Sequence, residues 1–95
     1  MAERLDHDLY YQRIQKMKLK KVGDQMAVYI PSQRAIHVLN QTTFFLWECL
    51  KEPVTFEELL FMLTEAFKGE RKTMKKDLEE TLDLFLEKGL IRKVR

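Results

Sequence analysis

Ninety-five residues, 45% hydrophobic and 34% charged, fit one soluble domain around a single core and argue against both a disordered chain and a pair of domains. The net charge of +2 is too small to name a polyanionic partner, and no apolar run approaches the roughly 20 residues that span a bilayer, so no membrane association is expected. The opening MAERLDHDLYYQRIQ has acids where a signal peptide needs a basic and then an apolar stretch; with a single cysteine, Cys49, and so no internal disulfide, a cytoplasmic location is expected.

Residues 1–16 are polar and mixed. Leu5, Leu9 and Ile14 can share one face of a short helix, but no cap fixes it, and the segment reads as a loosely attached amino-terminal extension to a domain over 17–95. From Met17 the pattern turns strand-like. Val22-Gly23-Asp24 and Pro31-Ser32-Gln33 break it into Met17–Val22, Gln25–Ile30 and Arg34–Leu39, because glycine reaches positive φ and proline presets a turn. In the second run Met26, Val28 and Ile30 alternate with Ala27 and Tyr29. In the third, Ile36 and Val38 oppose Ala35, His37 and Leu39. Two hairpins joining three antiparallel strands are the simplest arrangement.

After Leu39 the period becomes helical. Asn40 is an N-cap for Gln41–Lys51, whose Phe44, Phe45, Leu46, Trp47, Cys49 and Leu50 occupy nearly the whole circumference, as a central buried helix requires. Pro53 ends it. Thr55-Phe56-Glu57-Glu58 has the capping-box form and opens a second helix with Phe56, Leu59, Leu60, Leu63 and Phe67 in one stripe. Thr73 is placed to cap a third helix with a core face of Met74, Leu78, Leu82, Phe85 and Leu86. Gly89 stops it, and Leu90-Ile91 is placed to tuck back under the core. The expected fold class is therefore α+β, with a three-stranded antiparallel sheet followed by three helices.

No catalytic constellation is visible, so no enzyme and no cofactor are expected. His7 and His37 are the only histidines; Asp6-His7-Asp8 reads as a solvated end, and Cys49 among Leu46, Trp47 and Leu50 reads as a small buried hydrophobe. The three glycines are isolated and form no phosphate loop. Basic clusters at Lys16, Lys18, Lys20 and Lys21, at Arg71, Lys72, Lys75 and Lys76, and at Arg92, Lys93 and Arg95 could meet phosphates. Asp77, Glu79, Glu80 and Asp83 interrupt the third helix, however, and would repel a nucleic-acid backbone, so nucleic acid is not the expected partner.

Residues 22–91 resemble the PqqD-like family, the recognition elements of ribosomally made, post-translationally modified peptides. Val22-Gly23-Asp24 with Met26-Ala27-Val28 resembles the family's opening hairpin. Leu39-Asn40 ahead of Leu46-Trp47 and Leu50 resembles its sheet-to-helix junction, Val54-Thr55 with Glu58-Leu59 the start of its second helix, and Asp77, Phe85-Leu86 and Gly89-Leu90-Ile91 its closing helix and tail. Thr43, Phe44 and Phe45 depart from the small residues common before the tryptophan, and Pro31-Ser32-Gln33 replaces a glycine often found in the second hairpin.

The resemblance implies a winged-helix-like domain that binds the leader region of a precursor peptide and works with a separate maturation enzyme, such as a radical-SAM enzyme, a cyclase or a leader protease. It also implies where the leader binds: as a strand added to the third strand and packed on the third helix. The expected contact residues are thus Arg34, Ala35, Ile36, His37, Val38 and Leu39. At about 100° per residue, Asp77, Thr81, Leu84 and Lys88 form one flank of the third helix, and this flank is expected to face the strand. The alternatives are a winged-helix DNA-binding regulator, disfavoured because its β-wing follows the recognition helix, and a plain interaction domain forming a homodimer through the sheet edge or the extension.

Overall fold

The computed structural model describes residues 9–94, so Leu5 and Asp6-His7-Asp8 lie outside the described residues. Its elements run β1 (Tyr10–Arg13), β2 (Lys18–Val22), β3 (Gln25–Ile30), β4 (Ala35–Leu39), α1 (Gln41–Cys49), β5 (Val54–Thr55), α2 (Phe56–Ala66), α3 (Arg71–Glu87) and β6 (Ile91–Val94). The three expected strands and three expected helices are all present, within three residues at every end. A second small sheet is added to them.

The β2–β3–β4 meander is antiparallel throughout, with Val22 opposite Gln25 and Ile30 opposite Ala35 closing its two hairpins. Gly23 holds φ at 60° in the first, two-residue loop, a conformation glycine reaches without a Cβ clash. In the second loop Gln33 and Arg34 donate their amides to the carbonyls of Ile30 and Pro31. Arg34 sits at φ 52°, so it belongs to the turn and not to β4, where the sequence pattern had placed it.

Local chemistry also sets the helices. The Asn40 side chain accepts the Thr43 amide at 2.8 Å. At α2, Thr55 Oγ1 accepts the Glu58 amide at 3.1 Å while Glu58 Oε1 accepts the Thr55 amide at 2.8 Å, so the capping box is closed in both directions. The third helix starts two residues before the expected cap. Thr73 lies in its first turn and donates its hydroxyl to Glu70, the residue that precedes the helix.

The expectation of a loose extension over 1–16 fails for the part described. Strand β1 is the middle strand of a second antiparallel sheet, β5–β1–β6, with Tyr11 opposite both Val54 and Lys93. Tyr11 is fully buried. Beyond β1, the Arg13 and Ile14 amides donate to the carbonyls of Leu50 and Leu90 at 2.9 and 3.0 Å. This sheet fastens the start of the domain to the α1–α2 connection and to its end.

One core joins all layers: Val28, Ile30 and Leu39 from the sheet, Leu46, Trp47 and Leu50 around α1, the α2 stripe, the α3 face of Met74, Leu78, Leu82 and Phe85, and Tyr11, Leu90 and Ile91. Trp47 is its largest member. Phe85 meets the indole edge-to-face at 6.1 Å, and the Arg13 guanidinium, paired with Glu48 at 3.3 Å, lies 5.5 Å from the ring centroid. The indole Nε1 is buried with no hydrogen-bond partner among the described residues. A lone buried donor costs about 1–3 kcal/mol, so Trp47→Phe should lose ring burial and regain much of it by removing the N–H. Thermal unfolding is expected to shift by no more than about 4–8 °C, the equivalent of roughly 1 kcal/mol for a domain of this size. A loss several times larger would show that the N–H carries no penalty.

Candidate functional site

Among the described residues both edges of the β2–β3–β4 sheet are unpaired, and they differ in chemistry. Strand β2 is exposed along its length and carries Lys18, Lys20 and Lys21. Lysines on an edge strand discourage pairing with another chain, since each added strand would have to accommodate them. Strand β4 reads Ala-Ile-His-Val-Leu and has no such guard. Ile36 and Val38 are 65% and 54% exposed on its outer face, while His37 and Leu39 point inward, opposite Val28 and Met26.

Beside that edge lies a groove of about 340 Å³, lined by Ile36, His37, Val38, Leu39 and Asn40 on one side, by Thr81, Leu84, Phe85 and Lys88 of α3 on the other, and by Thr43 and Leu90. Its lining mixes apolar side chains (Ile36, Val38, Leu39, Leu84, Phe85 and Leu90) with polar ones, and the β4 backbone supplies polar groups that β3 does not use. A larger hollow of about 650 Å³ on the far flank of α3 is walled by Glu80, Asp83, Leu84, Leu86 and Glu87, all from that one helix. Among the described residues nothing stands opposite that helix to grip a ligand.

The structure brings seven of the ten expected contact residues into the groove: Ile36, His37, Val38, Leu39, Thr81, Leu84 and Lys88. The α3 flank does face β4. Arg34 lies in the preceding turn, Ala35 is half-buried opposite Ile30 at the start of the strand, and Asp77 is exposed about one helical turn before Thr81; none of the three lines the groove.

A family model, coenzyme PQQ synthesis protein D (PqqD), matches residues 25–91, more than half of the chain. The chain belongs to the PqqD family. No curated protein sequence matches it. Among solved structures, the PqqD part of Methylobacterium extorquens PqqCD, described as a functional, stand-alone RiPP recognition element, is 9% identical over 93% of this chain and 94% of that one, with a TM-score of 0.73. TbiB1 in complex with the TbiA(beta) leader peptide is 17% identical over 85% and 94% of the two chains, also with a TM-score of 0.73. Lasso peptide synthetase B1 complexed with its leader peptide is 15% identical over 86% and 96%, with a TM-score of 0.72. At these identities the likeness is one of fold.

In this PqqD-family chain the site includes residues the sequence pattern did not single out. Gln33, read only as a turn residue, donates Nε2–H to the carbonyl of Lys88 at 3.0 Å, across 55 positions of sequence. That bond fixes Oε1 as the atom 3.2 Å from His37 Nε2, so His37 carries its proton on Nε2 and leaves Nδ1 as an acceptor. A Cβ on Gly89 would come within 2.8 Å of Gln33 Nε2, and Gly89 itself holds φ at 71°. The absent side chain makes room for the latch between the β3–β4 turn and the end of α3.

Burial, and then the Lys88 ammonium, push His37 below its ordinary value. The unfolded chain therefore takes up this proton first as pH falls. The stability His37 contributes is complete above the ordinary histidine range near pH 6.5 and is lost as pH falls through the lower, folded value. An NMR titration should show the depressed value, with Lys88→Met moving it only part of the way back because burial remains. An unshifted His37, or no response to Lys88→Met, would contradict the geometry. Elsewhere, burial and then Glu48 raise the Cys49 thiol, which suits its packing against the core and not a nucleophile's role. Among the described residues no cluster of His, Cys, Asp and Glu could hold a metal ion, and no helix is long and apolar enough to cross a membrane.

Proposed function

We propose that this chain binds the leader region of a ribosomally made precursor peptide and presents it to a separate modifying enzyme, a radical-SAM enzyme, a cyclase or a leader protease, without doing chemistry itself. The observation that carries this reading is the groove between the unguarded β4 edge and α3. A peptide laid there as an extra strand would satisfy the outward N–H and C=O groups of β4 whatever its sequence, and Leu84, Phe85 and Leu39 would receive alternate apolar side chains. The added strand would also shade Ile36 and Val38, whose exposure in the free chain is otherwise unrewarded. Family membership supports the reading, as do the leader peptides bound to two proteins of the same fold. The whole is read as a winged-helix-like arrangement working in the cytoplasm.

The test is calorimetric titration with a leader peptide synthesised from the precursor gene beside this one, together with amide exchange of the complex. Micromolar or tighter binding is expected, with slowed exchange confined largely to residues 36–39. No heat of binding, or binding that leaves β4 exchange unchanged, would overturn the assignment.

A further inference from the structure

Past the Gln33–Lys88 latch, where β4 begins and α3 ends, a second hollow of about 280 Å³ opens among Ile14, Gln15, Lys16, Ile30, Ser32, Gln33, Gly89 and Arg92. Among the described residues no carboxylate side chain lines this hollow or the groove. The acids of the second half of α3 stand on its other flank, where Glu80, Asp83 and Glu87 border the outer hollow.

Three cations frame the passage: Lys88 on the groove side, Lys16 and Arg92 beyond the latch. Among the described residues none of them has a carboxylate partner. They come from three places, the segment before β2, the α3–β6 connection and β6, so the patch is a product of the fold and not of one charged run. The end of α3 does not offset them. Its last carbonyls are already engaged: those of Leu84, Phe85 and Leu86 by the amides of Lys88, Leu90 and Gly89, and that of Lys88 by the Gln33 side chain. The negative end of the helix dipole is spent on these bonds instead of facing the passage.

We propose that this passage is an acid-reading subsite: the peptide that lies along β4 continues past Ala35 into a segment carrying Asp or Glu, and Lys88, Lys16 and Arg92 receive those carboxylates. The inference rests on the leader-binding reading and adds to it the chemistry of the flanking segment. The latch gives the subsite a second consequence. Backbone pairing alone permits register slips, whereas an acidic segment held beyond the Gln33–Gly89 ridge fixes which residues of the strand meet Leu84 and Phe85.

The test selects binders from a displayed library of random 16-residue peptides on the intact chain, with counter-selection on Leu84→Glu to retain only groove-dependent sequences. These are expected to be enriched in Asp and Glu on one side of a strand-forming stretch. The double variant Lys16→Glu/Arg92→Glu should then weaken an enriched peptide about ten-fold, as two partly screened ion pairs allow. It should regain affinity for the same peptide with its acids changed to lysine, a rescue that a merely structural defect would not show. Groove-dependent binders with no acidic bias, or with affinity untouched by the double variant, would overturn the subsite and leave the groove assignment standing. A selection yielding no groove-dependent binder would overturn the leader-binding reading itself, and the subsite with it.

Discussion

Tyr11→Ala is expected to destabilise the domain by about 3–5 kcal/mol, the range for removing a fully buried aromatic ring. Tyr11 sits at the centre of β5–β1–β6, with no exposed surface, among core residues drawn from the sheet and all three helices. Folded domains are stable by only about 5–15 kcal/mol in total, so this one change should bring the midpoint of urea unfolding down by a large fraction of its value. The slope of the transition should stay the same, because the surface exposed on unfolding is nearly unchanged. Tyr10→Ala is the matched control: its ring is 42% exposed, and the cost should stay below about 1 kcal/mol. A loss below about 1 kcal/mol at Tyr11 would return β1 to the status of a dispensable extension.

That misjudged strand marks where local pattern stops being informative. The β2–β3–β4 meander and all three helices were legible because their signals are short-range. Gly23 and Pro31 punctuate, Asn40 and the Thr55/Glu58 box cap, and the apolar period changes from two to 3.6 after Leu39. The partners of β1 lie some 40 and 80 positions away, at Val54–Thr55 and Ile91–Val94. Each of those segments is too short to announce itself, and only their meeting makes a sheet. Gln33 escaped for the same reason. A turn glutamine gives no hint that its amide will close on a carbonyl 55 residues later.

The groove-facing flank of α3 was legible to the extent that helical geometry fixes it. Thr81, Leu84 and Lys88 share a stripe, and the stripe faces β4. Asp77 shares that stripe by angle but does not line the groove. At 1.5 Å of rise per residue it stands roughly 6 Å before Thr81, past the last groove residues. Angular position was readable from the sequence; how far the groove runs along the helix was not.

Leu84→Glu is expected to weaken leader binding roughly 100-fold while leaving the fold intact. The leucine is 47% exposed in the free chain, so exchanging it removes little core, and unfolding should move by no more than about 0.5 kcal/mol. In the complex the accounting changes. The exposed half of the side chain would be covered by the peptide, worth about 1 kcal/mol of apolar burial, and a carboxylate there would be partly desolvated without a partner, at a further 1–3 kcal/mol or so. Together these approach the 2.7 kcal/mol or so that corresponds to a 100-fold change in Kd. Thr81→Arg, one turn earlier, should act similarly by filling the groove, whereas Lys75→Glu on the opposite flank should change affinity little. Calorimetry with the wild-type leader separates these cases. Unchanged affinity in both Leu84→Glu and Thr81→Arg would mean that the peptide, if bound, lies elsewhere. Loss in Leu84→Glu and Lys75→Glu, with Thr81→Arg unaffected, would point to the charge of α3 as a whole and not to its groove-facing flank.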